Sequence, residues 1–137
     1  MLKKFTIGIL LVSGMGMVFY WQNSHSVVAG EGSPIVEVSV PQLSAYATQG
    51  KELFDKSCAA CHGNNAAGNQ GVGPPLVHIV YEPNHHGDQS FILAVTNGVR
   101  GHHWPFGNMP PVEGVTEEQI KSIIRYVREL QKANGIF

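Results

Sequence analysis

Charge is sparse in this 137-residue chain: only 14% of residues are Asp, Glu, Lys or Arg, and nine basic against ten acidic residues give a formal net charge of −1. So even a balance argues against nucleic acid as a partner, which needs a basic surface, and against strong electrostatic steering. Cysteine is scarcer still, with Cys58 and Cys61 the only two. No second pair exists to complete a four-ligand zinc site, and cysteines on one tight turn rarely make a relaxed disulfide. Methionine is rare where the chain folds, because Met1, Met15 and Met17 lie in an apolar leader and Met109 stands alone. There is no internal repeat and no long low-complexity tract, and one domain accounts for the chain after the leader.

The few cysteines are placed for a purpose. Cys58-Ala59-Ala60-Cys61-His62 is the pattern of covalent c-type haem attachment. Two sulfurs must add across the two vinyl groups of one porphyrin, and a ring nitrogen must reach the iron from the same edge. That spacing on a helical turn turns both thiols toward the macrocycle and lets His62 point under the metal. A dithiol redox pair is the rival, but it calls for a βαβ pattern that is missing here. Met109 sits in a Gly-Asn-Met-Pro-Pro loop, where the paired prolines restrict the backbone that presents it. A lone Met is by default core filler; the loop position favours ligation once haem is accepted.

From about Gly50 to the C-terminus the chain resembles a class I c-type cytochrome. The landmarks are Gly50 and Phe54 one turn apart before the motif, Gly73-Pro74 after it, Asn108-Met109-Pro110-Pro111, and Tyr126 on a C-terminal amphipathic helix. The resemblance implies an all-α fold of a few helices around one haem, with first and last helices crossing where Gly50 is small and Tyr126 packs over it. It implies that Cys58 and Cys61 hold the haem, that His62 and Met109 are axial ligands, and that the Pro74 carbonyl accepts a hydrogen bond from His62. Leu76 is expected to line the pocket, and Trp104 and Phe106 to pack on the porphyrin or its Met-side edge.

Lys3 and Lys4 precede an apolar run over residues 5–21, which marks export with the basic end on the cytoplasmic side. The run is at the lower edge for spanning hydrocarbon. Its Phe19-Tyr20-Trp21 end suits the headgroup level and favours an uncleaved signal anchor, while Val27-Val28-Ala29 offers cleavage by a signal peptidase. Residues 22–42 hold Gly30, Gly32, Pro34 and Pro41 and read as a flexible linker, followed by a haem domain over 43–137. Both fates of the leader put that domain outside the cytoplasmic membrane. With the resemblance, this implies the periplasmic side of a bacterial inner membrane.

Three helices are legible. The first is expected from about residue 44 to 56 with Ser44 as a possible N-cap. A middle one should start at Asp88 as N-cap and stop at Asn97-Gly98. The last carries a Thr116/Gln119 capping box, with Ile120, Ile123, Ile124, Val127 and Leu130 at helical spacing and Arg128 and Lys132 near its negative end.

Two histidine doublets, His85-His86 and His102-His103, flank the middle helix, with His78 and His25 beside them. A helix between them holds its ends apart by its rise per residue, unless the following loop folds back. They are open to three readings: solvated loop side chains that lend pH sensitivity, a site for a second transition-metal ion such as copper, zinc or nickel, or replacement of Met109 by His102 or His103. The function expected is one-electron transfer through haem c in an extracytoplasmic chain. The partners would be a redox donor and acceptor (a respiratory complex, oxidase or copper enzyme), with no small-molecule substrate and no catalysis. A copper-handling module with accessory haem, and a haem enzyme with a labile sixth ligand, are the alternatives.

Overall fold

The computed structural model describes residues 32–137; the expected anchor over 1–21, the cleavage candidate at 27–29, His25 and the first part of the linker lie outside the described residues. Among those described, the helices are α1 (Ala45–Ser57), α2 (Ala59–His62), α3 (Asp88–Asn97) and α4 (Glu117–Ala133), with 3-10 turns at Asn64–Ala66 and Ile79–Tyr81. Isolated antiparallel bridges join Asn69 to Gly73 and Val99 to Met109. No described helix is long and apolar enough to cross a membrane.

Ser44 starts α1 as its N-cap: its Oγ accepts the Ala47 N–H at 3.2 Å, satisfying a donor the helix itself leaves unpaired. The capping box forms on α4, where Thr116 Oγ1 accepts from Gln119 N and Gln119 Oε1 accepts from Thr116 N at 2.9 Å. Along α4 the spaced apolar residues Ile120, Ile123, Ile124, Val127 and Leu130 are all buried, with Tyr126 among them. Against them α1 turns Ala47, Gly50 and Phe54.

Gly50 sets how closely the two helices cross. A Cβ there would lie 1.9 Å from the Ser122 carbonyl oxygen and 3.0 Å from the Ile123 nitrogen, so the backbones meet at that point. One turn further along both helices the Phe54 and Tyr126 rings meet edge to face, with centroids 5.5 Å apart. Tyr126 therefore packs on Phe54, and Ser122 takes the place over Gly50 expected for Tyr126. Removing a side chain such as Phe54 or Leu130 from water contributes about 1.5–3 kcal/mol, so this crossing is the main apolar contact of the domain.

Two further expectations need correction. Gly87, rather than Asp88, is the N-cap of α3, because the Asp88 carboxylate is drawn to Arg128 Nε at 2.9 Å and cannot fold back onto its own helix. The described part of the linker, residues 32–42, is extended but lies bound to the domain. Ile35 and Val36 N–H groups both donate to the Ala67 carbonyl at 3.0 and 3.1 Å. Ser39 and Asn134 exchange two hydrogen bonds of 2.9 Å, and Val38 packs against the core.

Candidate functional site

Cys58 is the joint between α1 and α2: its N–H donates to Phe54 O at 2.8 Å, while its carbonyl accepts from Cys61 N at 3.1 Å and His62 N at 2.9 Å. One carbonyl thus fixes the second cysteine and the histidine relative to the first. Both thiols are free, Cys58 half-buried and Cys61 exposed. Burial, with a smaller contribution from Cys61, pushes the Cys58 thiol up to about 11. It stays protonated at neutral pH, the opposite of a reactive dithiol, whose nucleophile is the thiolate.

His62 is buried, and its Nδ1 lies 2.9 Å from the Pro74 carbonyl. A carbonyl only accepts, so the ring proton sits on Nδ1 and the Nε2 lone pair is left for a metal. Burial lowers the His62 pKa, against the opposing pull of Pro74, which keeps the imidazole neutral as a ligand must be.

The loop between them brings Pro74 to this place. Gly68 N donates to His62 O at 2.7 Å, Asn69 N and Gly73 O pair at 3.0 Å, and Asn69 Nδ2 donates to Ala60 O at 3.0 Å. Gly73 comes so near the motif that a Cβ would stand 2.5 Å from the Cys61 carbonyl oxygen; any side chain there would push Pro74 away from His62.

Met109 is half-buried, and its N–H and carbonyl both pair with Val99 at 2.9 Å. Gly98, at φ 75, leaves room for the Met109 carbonyl, which a Cβ would approach to 2.6 Å. Leu76 packs against the core, and its carbonyl accepts from Gln131 Nε2 at 2.8 Å. Trp104 is half-buried between His78, with ring centroids 5.1 Å apart, and Phe106, stacked at 6.0 Å. No acceptor meets its buried Nε1 in hydrogen-bond geometry, although the indole counters the upward push of burial on the nearby Tyr81 phenol.

The histidine doublets, placed at opposite ends of α3 in the chain, meet in space. Ring centroids are 4.5 Å apart for His85–His86, 5.3 Å for His85–His103, 5.2 Å for His86–His103 and 4.2 Å for His102–His103. The fold-back of the loop after α3 overrides the separation its length would impose. The His103 pKa is lowered, chiefly by desolvation and then by the three neighbouring imidazoles.

Sequence reasoning gave Arg128 only a place near the negative end of its helix and missed Gln131. Arg128 serves as more than a cation near a helix end. Besides Asp88 it donates to Tyr81 O at 2.8 Å, Gln131 Oε1 at 2.7 Å and the His86 carbonyl, and its guanidinium lies 4.8 Å from the Phe91 ring centroid. Gln131, fully buried, also donates to Tyr81 O at 3.0 Å. A polar residue one turn after Val127 and next to Leu130 on a buried stripe was the available signal.

The sequence profile of the cytochrome c family matches residues 47–131. Over 96 residues the chain is 36% identical to the cbb3-type cytochrome c oxidase subunit CcoP of Azospirillum brasilense, a match covering 64% of this chain and 29% of that protein. It is 43% identical over 113 residues to the cytochrome bc1 complex cytochrome c subunit of Mycobacterium leprae, covering 75% and 32% respectively. For the cbb3-type oxidase subunit FixP of a Bradyrhizobium strain the identity is 34% over 93 residues, with 66% and 30% covered. The chain spans under a third of the length of these relatives. No solved structure matches it.

Proposed function

Because the chain belongs to the cytochrome c family, we propose that it is a one-electron carrier with one haem c held at Cys58 and Cys61. The donor set fits that group. Two free thiols share one helical turn, and the buried neutral imidazole of His62 keeps its Nε2 lone pair by donating from Nδ1 to Pro74. On α3, Ile92 and Val95 are only partly buried by the polypeptide, which suits contact with a large flat apolar group. When bound, haem supplies an iron that alternates between ferric and ferrous states.

Each residue then has a task. Cys58 and Cys61 hold the macrocycle, and Pro74 orients His62 and sharpens its basicity. Met109 would offer its thioether to the iron, which would raise the reduction potential. Leu76 and Trp104 wall the pocket and exclude water. With His62 and Met109 both given to the haem, the residues would leave no vacant ligand position for peroxide or oxygen, and on this reading the chain makes and breaks no substrate bond. The relatives are subunits of an oxidase and of a bc1 complex, which supports a donor and acceptor of respiratory type. The leader supports anchorage on the periplasmic side of the membrane.

The observation that carries this reading is the 2.9 Å bond from His62 to Pro74 on the turn that bears both cysteines. Its test is the absorption spectrum of the oxidised, haem-loaded protein. A weak red sulfur-to-iron band should be present in the native chain and lost in Met109→Ala. Absence of that band from the native protein, or rapid binding of carbon monoxide to its reduced form, would refute Met109 ligation; mass spectrometry showing no added macrocycle would refute the whole assignment.

A further inference from the structure

We propose that His85, His86 and His103 form a binding site for one divalent late first-row transition-metal ion of the copper or zinc class, separate from the haem ligands and joining the turn before α3 to the loop that carries Met109. One ring nitrogen from each of the three lies within 4.8 Å of the others. Metal–nitrogen bonds of about 2.0–2.1 Å in a tetrahedral site place ligand nitrogens roughly 3.3 Å apart. Small rotations of the exposed His85 and His103 rings toward the half-buried His86 close that difference.

The tautomers are already set for ligation. His85 Nδ1 and His86 Nδ1 both lie on the Val80 carbonyl, at 3.0 and 2.6 Å. That oxygen has two lone pairs and only accepts, so both rings carry their proton on Nδ1 and offer Nε2. This is the arrangement in which an outer carbonyl orients a metal-binding imidazole. His78 shows the contrast: its Nδ1 accepts the Val80 N–H at 3.2 Å, so its proton is on Nε2 and it is turned to other work.

Both sides of the site are braced by backbone. His85 N and His86 N donate to the Glu82 carbonyl at 3.1 and 2.7 Å, and Arg128 donates to the His86 carbonyl. Opposite, the loop bearing His103 is closed by the Val99–Met109 bridge and by Gly101 N on Asn108 Oδ1 at 2.9 Å. Gly101 allows this closure, since a Cβ there would stand 2.4 Å from the Gly107 carbonyl oxygen. His102 points Nδ1 at the Arg100 carbonyl at 2.9 Å and stacks beside His86 at 6.3 Å, on the rim of the site.

The donor set decides the class of ion. Three imidazoles with no carboxylate among them favour copper, zinc or nickel over magnesium, calcium or manganese. His85 and His103 are exposed, so water completes the coordination and the ion exchanges readily.

The test takes the full-length, haem-loaded chain purified without a histidine tag and dialysed against copper(II), zinc(II) or magnesium(II). One equivalent of copper or zinc should be retained, no magnesium, and the copper(II) resonance spectrum should show several nitrogen couplings. His85→Ala and His103→Ala should each weaken binding by about tenfold or more, while His25→Ala leaves it unchanged. An unaltered haem spectrum in the variants reports that they are folded. In native protein, zinc should also slow amide exchange at Val99 and Met109. Binding that is equally strong in the variants, or no retained metal at all, would overturn the proposal. Loss of the haem assignment would show in the absorption spectrum and would leave the metal stoichiometry untouched.

Discussion

Replacing Gly50 by Ala should destabilise the domain, although on an isolated helix the same change is favourable. Ala is preferred to Gly in a helix interior by about 1 kcal/mol, and Gly50 has helical neighbours on both sides in α1. Against this, the new methyl would sit 1.9 Å from the Ser122 oxygen, 2.5 Å from its carbonyl carbon and 3.0 Å from the Ile123 nitrogen. All three are backbone atoms of α4, so no side-chain rotation relieves the overlap and the helices must separate by more than 1 Å. A radial gap of about 0.5–1 Å already forfeits a quarter to a half of a contact's dispersion energy, and the Phe54–Tyr126 pair one turn away would share the loss. Overpacking typically costs about 1–3 kcal/mol; with helices pinned by backbone the upper end applies, so the net is about 2 kcal/mol against folding after the propensity gain. Taking a guanidinium m value of about 3 kcal/mol/M for a small domain, the unfolding midpoint should fall by roughly 0.7 M. Circular dichroism of haem-loaded protein reads this directly. Adding Ser122→Gly should not restore stability, because the clash is with the carbonyl rather than the hydroxyl. An unchanged or higher midpoint in Gly50→Ala would refute the close crossing.

Two further changes test the rest of the frame. Arg128→Ala should cost about 3 kcal/mol in thermal melts, since hydrogen bonds to charged groups contribute about 1.5–3 kcal/mol each and several are lost; Arg128→Lys should recover less than half, because an ammonium cannot span Tyr81, His86 and Asp88 at once. Glu129 makes stability depend on pH in the acid range: burial raises its carboxyl, but bonds from Ser44 and Arg125 outweigh this and hold it below the usual value of 4.5. The unfolded chain therefore binds its proton first, so the stabilisation is present above pH 4.5 and disappears as pH falls through the folded-state value. Glu129→Gln should lower stability by about 1 kcal/mol at pH 7 and by much less near pH 3, as measured by paired denaturation curves.

What the sequence made legible was local. The thiol and imidazole spacing, the Ser44 cap, the Thr116/Gln119 box and the stripe on α4 depend on neighbours within a turn, and all stand where their residues put them. Asp88 failed as a cap for the opposite reason: Arg128, distant in the chain, attracts its carboxylate more strongly than its own helix does. The meeting of His85 and His86 with His103 depends on the path of the loop after α3, which the Val99–Met109 pairing and the bare α-carbon of Gly101 decide. Periodicity carries no record of such a return. Residues 32–42 are held through Ile35 and Val38, whose partners, Gly68 and the core, lie far along the chain and leave no mark on local composition.

The helices that cross at Gly50 stand near the two ends of the domain, and the cysteine turn follows directly on the first of them. Their docking therefore closes a loop that holds nearly every other element, and the entropy of that closure has to be met before any of the apolar contact is gained.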